Sequence, residues 1–100
     1  MKKSLIVLNI IYLISSINLL AQVDTEKLFN TGNELYNEGR NIEAINYYKQ
    51  IINNDIHSAE LYYNMANAYY KIDSIASSIY YYEKALALNP SDKEIINNLK

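Results

Sequence analysis

An all-α fold is predicted for this chain of 100 residues, with two helix–turn–helix units stacked as a short solenoid. Three observations predict it. Shifting the sequence by 34 residues superposes Glu26 on Glu60, Asn30 on Asn64, Asn33 on Asn67, Tyr36 on Tyr70, Ile45 on Ile79, Tyr47 on Tyr81 and Tyr48 on Tyr82. A fixed period of that length marks stacked helical repeats, each too small to bury its own apolar face. Beyond Asp24 the apolar residues recur with a period of about 3.6, and turn signals interrupt them at short intervals. Glycine and proline are scarce, with 2 and 1 occurrences, as long helical runs require.

The elements follow in order. Met1 to Ala21 carries Lys2 and Lys3, an apolar run of 16 residues from Leu5 to Leu20, then Ala-Gln. That is the order of a secretory signal helix, with cleavage expected after Ala21. The competing reading is an uncleaved anchor, although the run is shorter than the ~20 residues that cross a bilayer and Asn9 and Asn18 interrupt it. Two repeat units occupy 22–92, at about 25–58 and 59–92. In the first, Leu28, Thr31, Gly32 and Leu35 share a helical stripe, capped by Asp24 or Thr25. Gly39 closes that helix in the left-handed conformation. Asn41 is expected to cap the next helix, whose stripe is Ala44, Ile45, Tyr48, Ile51 and Ile52.

The second unit repeats the pattern. Ser58 caps a helix with Tyr62, Met65, Ala66 and Tyr69 inward. Asp73-Ser74 stands where a glycine turn is usual, aspartate tolerating the left-handed region better than most residues. Ile75, Ser78, Ile79, Tyr82, Ala85 and Leu86 form the next stripe, which Pro90 stops. Of the run Tyr80-Tyr81-Tyr82, only Tyr82 can face the core, with Tyr81 expected at the junction with the next helix and Tyr80 most exposed. Ser91 to Glu94 reads as a capping box. It opens residues 93–100, the start of a third repeat or a capping helix.

Composition limits the chemistry. Beyond residue 21 there are 7 basic and 11 acidic residues, a net charge of −4, which argues against a nucleic-acid partner. No cysteine is present, which removes thiolate ligands and nucleophiles. His57 is the only histidine, so no metal set forms around it. Asp55, His57 and Ser58 are too close in sequence for a catalytic triad. No cofactor site and no catalytic residue is expected.

Large and small residues alternate at this period in a way that resembles the tetratricopeptide repeat. The motif asks for bulky residues at its fourth, eleventh and twenty-fourth positions, here Leu28, Leu35 and Tyr48, then Tyr62, Tyr69 and Tyr82. It asks for small ones at the eighth, twentieth and twenty-seventh. Gly32 and Ala44 comply in the first unit, where Ile51 departs, and Ala66, Ser78 and Ala85 comply in the second. Pro90 matches the proline near the repeat end, and Ile56 replaces it in the first unit. The resemblance implies a right-handed solenoid acting as a non-catalytic protein–protein interaction scaffold. It also implies a concave face carrying Glu26, Phe29, Asn30, Asn33, Tyr36 and Asn37 from one unit and Glu60, Tyr63, Asn64, Asn67, Tyr70 and Lys71 from the other. Asparagine can pair with an extended peptide backbone without reading its sequence, and tyrosine gives contact area with a polar tip. Asn33, Asn67, Tyr36 and Tyr70 are accordingly expected to hold a peptide or partner loop. The alternative for each is plain packing between repeats. Phe29, Glu94 and Asn98 stand where carboxylate-clamp relatives carry cations, so a terminal carboxylate is not the expected ligand.

A secretory segment followed by GNELYNEGRNIEAINYYKQII and AELYYNMANAYYKIDSIASSIYYYEKAL also resembles the start of BatE-type proteins of the Bacteroides aerotolerance group. That resemblance implies an exported chain, in the periplasm or on the periplasmic face of the inner membrane. It makes the chain a structural subunit or the N-terminal fragment of a membrane-anchored complex that binds through its repeat ends, or else a stand-alone relative. An apolar end centred on Tyr81, Ala85, Leu88 and the stripe from Ile95 to Leu99 is expected to be unpaired, leading to marginal folding or self-association.

Overall fold

The structure is a computed structural model and describes residues 23–100. The signal-or-anchor segment lies outside these residues. Among the described residues there are five helices and no strand: α1 (Thr25–Asn37), α2 (Asn41–Asn53), α3 (Ala59–Lys71), α4 (Ile75–Leu88) and α5 (Lys93–Leu99). α1 pairs with α2, and α3 with α4, as two helical hairpins; α3 also packs on α2 and α1, and α5 closes onto α4. None of these helices is long and apolar enough to cross a membrane.

The hairpins turn because three successive helix ends use the same closure. Gly39, Asp55 and Asp73 all adopt positive φ, at 80°, 59° and 61°. At each, two N–H groups reach back to the last turn: Arg40 to the Leu35 carbonyl at 2.9 Å, Ile56 to Ile51 at 3.4 Å, and Ser74 to Tyr69 at 3.0 Å. This is the Schellman closure, which pairs carbonyls that the helix itself leaves open. Asp73 therefore does what the sequence requires of it.

Helix starts are less uniform. Asp24 Oδ1 accepts the Lys27 N–H at 3.0 Å, and Ser58 Oγ accepts the Leu61 N–H at 3.0 Å. Asn41 does not cap α2: it is the first helical residue, and its side-chain amide donates to the Gly39 carbonyl at 3.2 Å. The Gly39 turn delivers Arg40 to the flanking position instead, and Arg40 pairs with Glu43 in the first turn. α5 begins one residue later than the Ser91 box implies. Asp92 has the extended backbone of a cap, and its Oδ1 accepts the Glu94 and Ile95 N–H groups at 2.9 and 3.3 Å.

One continuous core joins the hairpins, built from Leu35, Ala44, Tyr48, Ile51, Leu61, Tyr62, Met65, Ala66, Tyr82, Ala85 and Ile95. Gly32 lets α1 approach α2 closely. A Cβ there would lie 2.6 Å from Cε1 of Tyr48, whose side chain is wholly buried. Ser78 buries its hydroxyl by donating to the Ala66 carbonyl at 2.9 Å, which joins α4 to α3. Two residues of the expected α4 stripe, Ile75 and Ile79, are exposed. Ile45 occupies the position equivalent to Ile79 in the first hairpin and is buried because α3 covers α2. α5 has only seven residues and leaves the start of α4 uncovered.

The apolar end expected to stay unpaired is mostly covered. Ala85 is fully buried and Ile95 is 1% exposed. Tyr81 lies nearly parallel to Tyr69, with ring centroids 5.4 Å apart, and stacks on Tyr62 at 5.9 Å. Its ring packs back onto α3, where the sequence predicts a place at the junction with the next helix. Of the named set, Leu88 alone is a large open hydrophobe.

Candidate functional site

The exposed faces of α1 and α3 share a groove whose floor is a network of amides and phenols. Asn33 Oδ1 on α1 accepts two hydrogen bonds, from the Tyr48 hydroxyl at 2.6 Å and from Asn64 Nδ2 at 2.9 Å. The second hairpin repeats the first of these: the Tyr82 hydroxyl donates to Asn67 Oδ1. Asn98 of α5 then places its amide 3.4 Å from the hydroxyls of both Tyr63 and Tyr82. Asn30, Asn64 and Asn98 are themselves one repeat apart. The network couples α1 to α3 and α3 to α5 along the groove, so the repeat period is written into the site as well as the core.

Two adjoining hollows form the groove. The larger, of about 440 Å³, is lined by Tyr36, Tyr63, Asn67, Tyr70, Lys71, Tyr82 and Asn98. The other, of about 260 Å³, is lined by Asn33, Tyr36, Asn37, Tyr48, Asn64 and Asn67. Lys71 is the sole charged side chain in either lining. Burial, reinforced by nearby Tyr36, pushes the Tyr48 phenol up to about 12. Burial and the neighbouring Tyr63 phenol raise Tyr82 as well. Both hydroxyls therefore stay protonated donors at neutral pH, and the floor is neutral.

Eight of the twelve residues expected on this face line the groove or the network, and four do not cluster there. Glu26, Phe29 and Glu60 line a separate apolar hollow nearer the starts of α1 and α3. Asn30 lies with Asp24, Lys27, Thr31 and Glu34 on the outer flank of α1. Phe29 sits against Tyr48, with centroids 6.0 Å apart. The oxygens of Asn33 and Asn67 hold buried tyrosines of the same hairpin, which is the packing alternative expected for each. Three participants escaped the sequence reading, namely the hydroxyls of Tyr48 and Tyr82 and the amide of Asn98. The first two were legible, since Asn33–Tyr48 and Asn67–Tyr82 share one spacing. Asn98 was legible as the third member of the Asn30, Asn64 series.

Around His57 no nucleophile is assembled. Ser58 Oγ is held by its helix N-terminus, while His57 bonds Asp55 at 2.9 Å through Nε2 and Tyr62 at 2.5 Å through Nδ1. The His57 ring stacks on Tyr62 with centroids 5.9 Å apart. Among the described residues no group of three His, Asp or Glu side chains could hold a metal ion.

A helical hairpin of 34-residue period, closed by left-handed residues and packed large against small, decides the comparison. Residues 59–92 match the tetratricopeptide repeat. The match covers α3, α4 and the turn after them, and it supports a tetratricopeptide repeat protein. Such repeats suggest a protein–protein interaction scaffold and generally bind protein partners; they are typically non-catalytic. No curated protein matches the chain.

Proposed function

We propose that the chain is a non-catalytic interaction scaffold of the cell envelope that holds a peptide or partner loop in the groove of α1 and α3, on the concave side of the solenoid. One observation carries this reading. The groove is preorganised, because the buried phenols of Tyr48 and Tyr82 fix Asn33 and Asn67, and its walls present the open ring of Tyr70, 58% exposed. A neutral floor with amide donors suits the carbonyls of an extended backbone, and rigid tyrosines give contact area with little entropy lost. The order of residues 1–21 supports export, and the narrower likeness to BatE-type proteins supports the periplasmic face of the inner membrane.

Tyr70→Ala tests the groove without touching the core. The expected outcome is a partner affinity reduced about tenfold, as for a central aromatic contact, with an unchanged helical circular-dichroism spectrum. Unchanged affinity would leave the groove without a role. Binding through the repeat ends keeps a narrower basis, because Ala85 and Ile95 are covered while Ile75, Ile79 and Leu88 remain open.

A further inference from the structure

At the starts of α1 and α3 lies a second hollow, of about 370 Å³, walled by Phe29, Ile51, Ile56 and Leu61 and completed by Glu26 and Glu60. Ile56 stands where the second unit has Pro90, so the departure from the repeat motif adds an apolar side chain to this wall. The same place recurs one repeat later, where Glu60, Tyr63, Glu94 and Ile95 line a hollow of about 400 Å³. The apolar character belongs to the first, the carboxylates to both. Glu26, Glu60 and Glu94 are each exposed, each in the first turn of a helix. Among the described residues none of the three is in an ion pair. Helix dipoles favour acids at these places, but they do not account for an open apolar hollow between two of them.

We infer that this hollow takes an apolar side chain of a partner segment, with lysine or arginine on either side of it held by Glu26 and Glu60. Charge complementarity selects this occupant: two carboxylates outside any ion pair flank an apolar cavity and no cation lines it. A second copy is a poor occupant, since residues beyond 21 carry a net charge of −4 and would bring like charge to the rim. An acidic segment is excluded by the same reasoning. The inference deepens the groove reading and rests on it, because Glu26 and Glu60 extend the same face of α1 and α3 that carries Tyr36 and Tyr70. The partner is then a basic segment with an apolar anchor, its backbone continuing over the amide floor.

The test titrates the full chain with the blocked fluorescent peptides KKLKK, KKSKK and EELEE, at an ionic strength of ~0.05 M to keep charge effects visible. The expected result is that KKLKK binds at least about tenfold more tightly than either control. Glu26→Gln with Glu60→Gln should weaken it and flatten its salt dependence, and Ile56→Ser, a change at an exposed loop residue, should weaken it with the salt dependence retained. Equal binding of KKLKK and KKSKK, or indifference to both variants, would overturn the inference. So would a dimer that these variants dissociate, since a second copy would then fill the hollow. A natural partner lost on Tyr70→Ala yet indifferent to Glu26→Gln with Glu60→Gln would keep the groove reading and remove this one.

Discussion

Gly32 shows how a single hydrogen sets the distance between two helices. A methyl group there would meet the Tyr48 ring at 2.6 Å, and that ring cannot retreat because it is fully buried and its hydroxyl is held by Asn33. Gly32→Ala should therefore destabilise the fold by about 1–2 kcal/mol, the overpacking cost less the alanine helix preference. Thermal unfolding followed by circular dichroism checks this; a raised Tm would mean that the ring shifts freely. Ala66 holds the equivalent place in the second hairpin, fully buried opposite Tyr82, so the tolerance is local to each hairpin. Tyr48 supplies a second test. Its folded pKa of about 12 lies above the ordinary 10.0, so between those values the native state holds a proton that the unfolded chain releases. Stability is then complete below pH 10 and falls as pH rises toward 12, by on the order of 2–3 kcal/mol from this group. Spectrophotometric titration should show a late tyrosinate fraction that appears with unfolding. Ionisation of every phenol near pH 10 in folded protein would contradict it.

Among the elements, turns and caps were partly legible in sequence, and the reason lies in which residues compete. Gly39 and Asp73 were readable as left-handed closures because few residues tolerate that region. Asp55 does the same between α2 and α3, and it was hidden among the polar residues of a loop that offers several candidates. The starts of α2 and α5 were misplaced by one residue, since Arg40-Asn41 and Ser91-Asp92 each offer two neighbouring residues and only the observed backbone decides between them. Left-handed aspartates carry a cost that glycine does not. Asp73→Gly should thus raise stability by about 0.5–1 kcal/mol, measured by chemical denaturation. Asp55→Gly should give less, because it also removes the Asp55–His57 contact. Equal gains at both sites would show that this contact contributes nothing.

For the molecule as a whole, the 34-residue period carried the helix pairs, their order and most of the groove lining. What it could not carry was cover. Ile79 and Ile45 are identical residues one repeat apart, one open and one buried, because a full helix follows α2 and a short one follows α4. The same short α5 nevertheless covers Ala85 and buries its own Ile95, both of which the periodicity alone left exposed. Asn33 and Asn67 were legible by position as residues of the face that α1 and α3 share, but their anchoring of buried phenols needed the hairpin geometry. The central claim is that the molecule works through the groove of α1 and α3 rather than through its outer surface or its end. Photo-crosslinking in intact cells of the native host, with a benzophenone side chain placed in turn at positions 70, 80 and 88, tests it most directly. The expected result is a discrete partner adduct from position 70 and none from positions 80 or 88. Adducts from position 80 or 88 with none from 70 would contradict it.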